Sequence, residues 1–171
     1  LIVGDIEEFN PLASAELYDS TTNNWSPAAS LSKPRSDLYP PYVFNSGHDT
    51  TLLQDGRVLI VGGRDEEFLP LAAGEIYDSS SNSWVPSGNL VLPRFVCSAT
   101  LLQDGRVLVV GGVYGEYSEE RAIPSVELYN PSTNSWTSAG NLLQTRGGHR
   151  AVLFPDGRVL VVGGIEEFSP L

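Results

Sequence analysis

One phrase is written three times in this chain: LLQDGRVLIVGG from Leu52 to Gly63, LLQDGRVLVVGG from Leu101 to Gly112, and LFPDGRVLVVGG from Leu153 to Gly164. Each copy spells a hairpin. A hydrophobic pair (Leu52-Leu53, Leu101-Leu102, Leu153-Phe154) runs into Asp-Gly, whose glycine tolerates the positive φ of a tight turn, and an alternating Arg-Val-Leu-Val type run follows. The return strand becomes four or five consecutive apolar residues, which suits a strand covered on both faces. A glycine pair (Gly62-Gly63, Gly111-Gly112, Gly163-Gly164) then breaks it.

A second phrase alternates with the hairpin: SAELYDSTTNNW from Ser14, AGEIYDSSSNSW from Ala73 and SVELYNPSTNSW from Ser125. Each holds Glu, an aliphatic residue, Tyr, then Asp or Asn, and closes on Trp (Tyr18 and Trp25, Tyr77 and Trp84, Tyr129 and Trp136). A polar Ser/Thr/Asn turn therefore separates two further strands, with Tyr closing one and Trp opening the next. The turn glycine moves by 49 and 52 residues (Gly56, Gly105, Gly157) and the tryptophan by 59 and 52, so the period is about four short strands.

Hairpin, double glycine, tyrosine and tryptophan recurring in this order resemble the kelch repeat, in the form found in the galactose oxidase and glyoxal oxidase superfamily. The resemblance covers essentially the whole chain. It implies an all-β fold of kelch-type β-propeller blades, each with four antiparallel strands running from A at the centre to D at the rim. Tyr18, Tyr77, Tyr129, Trp25, Trp84 and Trp136 are then packing residues between blades.

The blade count does not close. Residues 1–30 supply strands C and D of a first blade, after the tail of a strand B, and residues 31–45 form an aromatic insertion loop. A second blade is expected over 46–90 and a third over 95–140, and 147–171 supply strands A and B of a further one. About three blade equivalents result, where a closed propeller takes 4 to 8. Three readings are open: further blades in a longer chain, two chains completing each other's halves, or head-to-tail growth into a filament. The near-duplicate segments VGDIEEFNPL (from Val3) and VGGIEEFSPL (from Val162) favour the first, because pairing between copies leaves a redundant strand end.

Charge narrows the partners. Twenty-one acidic against ten basic side chains give a formal net charge of −11, which repels a phosphate backbone, so nucleic acid is not an expected ligand. No stretch approaches the roughly 18 apolar residues of a membrane span, and an extracellular or cell-surface location is the expectation. Cys97 is the one cysteine, which leaves no internal disulfide.

Candidate binding residues fall on two loop sets, B to C and D to A, which in kelch propellers emerge on one face. The B-to-C loops carry Glu7 and Glu8, Glu66 and Glu67, Glu119 and Glu120, and Glu166 and Glu167. Repetition arrays these carboxylates around one rim, either for a cation such as calcium or a basic or hydroxyl-rich ligand, or as solvated loops inherited by duplication. The D-to-A loops each carry an arginine (Arg35, Arg94, Arg146), and the first also holds SDLYPPYVFN, whose Tyr39, Tyr42 and Phe44 are candidates for ligand or sugar stacking.

His48, Cys97 and His149 occupy equivalent positions ahead of the three hairpins, where a structural role is expected. The same superfamily includes copper-radical oxidases with a strand-A cysteine, which RFVCSATLLQDGRVLVVGG resembles. That family's adjacent Tyr-His pair is missing here, and no catalytic residue is assigned. The expected function is a non-catalytic binding or assembly module, without a cofactor, for a protein or glycan partner or for further blades of the same or another chain. The alternatives are part of a copper-radical oxidase and a structural protein that self-assembles through open blade edges.

Overall fold

The computed structural model describes residues 1–4, 6–7, 10–36, 38–39, 42–43, 47–116 and 119–166. The strands in chain order begin with β1 (Ile2–Val3), β2 (Ile6–Glu7), β3 (Asn10–Pro11), β4 (Ala15–Asp19), β5 (Asn24–Ala28), β6 (Leu38–Tyr39) and β7 (Tyr42–Val43). Next come β8 (His48–Leu52), β9 (Val58–Gly62), β10 (Ala73–Asp78), β11 (Ser83–Asn89), β12 (Ser98–Leu101) and β13 (Val107–Val110). They finish with β14 (Val113–Tyr114), β15 (Arg121–Ala122), β16 (Ser125–Asn130), β17 (Ser135–Asn141), β18 (Arg150–Leu153) and β19 (Val159–Val162).

The fold is all-β, with no α-helix among the described residues. Two sheets have four antiparallel strands, in the orders β8-β9-β10-β11 and β12-β13-β16-β17. A three-stranded sheet β1-β4-β5 precedes them and the pair β18-β19 follows. These are blades of a partial propeller. Register is set by the turns: Asp55, Asp104 and Asp156 each accept from the backbone N–H two residues on and from the arginine that carries it, which ties the A–B hairpin closed.

The strand B run is apolar throughout because it is covered on both sides. Leu59 and Val61 face the next sheet, packing with Cys97, Val107, Val109 and Tyr129. Ile60, between them, faces the preceding sheet with Val3, Ala15 and Leu31. All three are 0% exposed, and each contributes about 1.5–3 kcal/mol to cohesion between sheets as a fully buried aliphatic side chain. Where no sheet among the described residues lies alongside, equivalent side chains are open: Leu160 and Val162 on one side, Ile2 on the other.

The tyrosine and tryptophan rings of each repeat pack in a tilted arrangement, 4.9–5.1 Å between centroids. Trp84 Nε1 donates to Ala29 O (2.7 Å) and Trp136 Nε1 to Ser87 O (2.9 Å), each reaching the D strand region of the preceding sheet. One expectation is corrected here. Tyr77 and Tyr129 are buried, but Tyr18 and Trp25 are 45% and 52% exposed, with no sheet among the described residues over that face. The segment read as an irregular aromatic loop contains a short ribbon, with Leu38 paired to Val43 and Tyr39 to Tyr42.

Candidate functional site

The D-to-A loop of each sheet is joined to the B-to-C loop of the next by a single bridge: Ser36 with Arg64, Phe95 with Val113, Gly147 with Ile165. Both loop sets therefore lie on one face. Deeper in, Val96 N–H donates to Gly47 O and Gly148 N–H to Val96 O, both at 2.8 Å, linking successive D-to-A loops. Val96 holds φ at 47°, where the equivalent Gly148 sits at 68°. A β-branched residue is strained in this region, and its side chain is retained in a buried cluster with Phe95 and Val113.

Below the face, Arg35 and Arg94 are fully buried. Arg35 Nη1 donates to Gly62 O (2.8 Å) and Ala73 O (2.9 Å), and Nη2 to Glu75 Oε1 (3.0 Å). Arg94 repeats the pattern on Gly111 O, Ser125 O and Glu127. The carboxylates complete the junction, since Glu75 accepts from Ser32 N–H and Glu127 from Val91 and Leu92 N–H. Burial pulls the Arg35 guanidinium below its ordinary range, and Glu75 partly restores it. These two arginines are committed to the scaffold, not open to a ligand. Among the described residues, Arg146 has Gly163 O (2.7 Å) and Gln144 Oε1 (3.0 Å) as its side-chain partners, and it is half-buried.

Of the acidic rim candidates, Glu66, Glu67, Glu119 and Glu166 are exposed. Glu120 is withdrawn: it pairs with Arg64 at 2.6 Å with side-chain exposures of 6% and 2%, which pins the second B-to-C loop to the third. The Arg64 guanidinium also lies 3.7 Å over the Phe95 ring. Asp65 accepts from Glu67 N–H and Leu69 N–H, and this turn holds Glu66 and Glu67 outward. Glu8, Phe44 and Glu167, and the side chains of Glu7, Tyr39 and Tyr42, lie outside the described residues.

The inner strands frame a cavity of about 240 Å³ lined by Asp49, Cys97, Ser98, His149 and Arg150. Ser98 Oγ and His149 Nε2 are 2.8 Å apart, and Asp49 accepts from Ala99 N–H at 2.8 Å, so these groups tie neighbouring inner strands together. Burial raises the Asp49 carboxyl above its usual range, and burial pushes the Cys97 thiol up to about 12, the reverse of a reactive thiol. The sequence reading missed Glu75 and Glu127 as the partners of the repeat arginines. The available signal was one Glu per Tyr-Trp phrase and one Arg per D-to-A loop, recurring together.

Comparison with known proteins decides the family. A Kelch motif model matches residues 94–143. The chain is 30% identical over 166 residues to Kelch-like protein 36 of Rattus norvegicus, covering 95% of this chain and 25% of that protein. The chain is built from kelch repeats. It is also 29% identical over 126 residues to galactose oxidase of Gibberella zeae, covering 70% of the chain and 16% of that protein. The structure of YjhT matches with a TM-score of 0.70 at 17% identity, over 95% of this chain and 56% of that one. This kelch chain thus spans about a quarter of the curated relatives it first matches and just over half of the structural neighbour.

Proposed function

We propose that the chain is a protein-binding module whose recognition surface is the loop face, with a basic partner segment as its ligand. The observation that carries this reading is the set of exposed carboxylates Glu66, Glu67 and Glu119, set on loops that the buried Arg64–Glu120 pair locks together. A rigid array of like charge attracts a Lys- or Arg-rich segment without ordering loops on binding. The Kelch-like protein relatives support a binding role, and the net charge of −11 sets the sign.

Calorimetric titration with a Lys/Arg-rich peptide tests it. Binding that weakens with salt and drops about tenfold or more in the E66Q/E67Q/E119Q variant is the expected result. Undiminished binding by that variant, or none by the parent, sinks the reading. A second reading, an oxidase module, is favoured by the galactose oxidase relative alone. Bound copper together with peroxide formation from a primary alcohol would support it over the binding role.

A further inference from the structure

One triplet of the chain takes no part in the loop face. Asn24-Trp25-Ser26 has the Asn-x-Ser/Thr pattern of an N-glycan acceptor. Asn130-Pro131-Ser132, the other asparagine with a hydroxyl two residues on, is barred by its proline. Asn24 opens β5 directly after the polar turn, with its backbone paired to Asp19. Strand D runs from that turn toward the D-to-A loop, so Asn24 stands at the end of the sheet away from the B-to-C and D-to-A loops.

Side chains alternate along a strand, so Asn24, Ser26 and Ala28 share one face of β5, while Trp25 takes the other, against Tyr18. Ala28 identifies the first face, because it packs with Ile60 and Trp84 of the following sheet. That sheet is in place, and Asn24 and Ser26 are nonetheless exposed. In the next repeat the same two positions are Ser83 and Val85, on a sheet with neighbours on both sides. Ser83 is half-buried there and Val85 is exposed. The openness of Asn24 and Ser26 is therefore a property of this position in the repeat. Asn23, by contrast, is committed to the turn: its Oδ1 accepts from Tyr18 OH (2.5 Å), as Asn82 and Asn134 accept from Tyr77 and Tyr129. The side chains of Asn24 and Ser26 make no hydrogen bond among the described residues.

We propose that Asn24 carries an N-linked glycan. The donor is an oligosaccharide on a polyprenyl pyrophosphate, presented by a membrane-bound transferase. The Asn24 amide nitrogen bonds to the anomeric carbon as the bond from that carbon to the pyrophosphate oxygen breaks. The lipid pyrophosphate leaves, and the amide gives up one proton. The Ser26 hydroxyl, two residues on and on the same face, is the group the transferase recognises. The sugar extends from the outer end of strand D, where it displaces no core contact and leaves Glu66, Glu67 and Glu119 clear. The site is independent of the basic-partner reading, and it requires that this segment pass through a secretory compartment.

Peptide mapping of the polypeptide purified from its own source, after peptide-N-glycosidase treatment in heavy-oxygen water, tests this. Release of a glycan converts Asn24 to Asp with one heavy oxygen. The expected result is that mark on the peptide holding residue 24, absent from an enzyme-free control. Expression through a eukaryotic secretory pathway adds the variants: Asn24→Gln and Ser26→Ala each abolish the glycan, while Ser26→Thr keeps it. The map of the parent protein decides the matter even where a variant is not secreted. An unmarked Asn24, whether the protein is found inside or outside the cell, overturns the proposal, as does a glycan that persists in Ser26→Ala.

Discussion

Arg94 and Glu127 form an ion pair with side-chain exposures of 0% and 3%, and they belong to different sheets: the arginine to the loop leaving the second, the glutamate to the third strand of the next. Removing either partner leaves an uncompensated buried charge and unpaired backbone groups. Glu127→Gln and Arg94→Met are each expected to cost about 3–5 kcal/mol in urea unfolding. The double variant should lose measurably less than the two single losses combined, because the groups share one junction. Additive losses would show that the pair is not the linking contact.

Trp136 is expected to act through its indole N–H as well as its area. Trp136→Phe keeps an aromatic ring against Tyr129 but strands the carbonyl of Ser87, and a loss of about 1–2 kcal/mol is predicted by chemical denaturation. A change within a few tenths of a kcal/mol would mean that water replaces the bond without cost.

Two glycines separate backbone strain from collision. Gly56 has φ +87° with open space where a Cβ would stand, so Gly56→Ala should cost only the left-handed conformation, about 1–2 kcal/mol. Gly62 has φ +70°, and its added Cβ would stand 2.8 Å from the carbonyl oxygen of Arg94, a backbone atom in the sheet junction. Gly62→Ala should lower the thermal midpoint well beyond Gly56→Ala. Equal shifts in calorimetry would count against a close-packed junction.

Acid should destabilise the fold in two windows. Burial first, then the charges of Arg146 and Arg150, hold His149 below its ordinary 6.5. The unfolded chain thus takes up that proton more readily, and the contribution is complete above pH 6.5 and is lost as pH falls toward the folded value. Hydrogen bonds from Thr21 and Thr22 hold Asp19 at about 2 against 3.8 unfolded, so its contribution is complete above 3.8 and is lost as pH falls through 2. Thermal midpoints from pH 8 to pH 2 should show both declines, with His149→Gln flattening the upper one and Asp19→Asn the lower.

Much of the scaffold was legible in the chain because its signals are local. Asp55-Gly56 needs only its own backbone to announce a turn, and Val58 to Val61 needs only its apolar content to announce a strand covered on both faces. The candidate face was legible in part. Glu66, Glu67 and Glu120 read alike as loop carboxylates, yet two are exposed and the third is buried on Arg64. Arg35 and Arg94 read as loop cations but lie 40 and 33 residues from the glutamates that bury them.

The sequence by itself determined the repeat, the hairpins and the net acidic charge, since each depends on neighbours a few residues away or on a sum over the chain, while the strand order within each sheet came from the resemblance to kelch repeats. Only the tertiary structure decided which members of a repeated set are spent on the fold. Arg94 and Arg146 carry the same label in the repeat, but one has a carboxylate from the next sheet and the other has none among the described residues. Burial and pairing depend on what lies across a sheet boundary, and a repeat written identically along the chain does not specify which of its copies has a neighbour there.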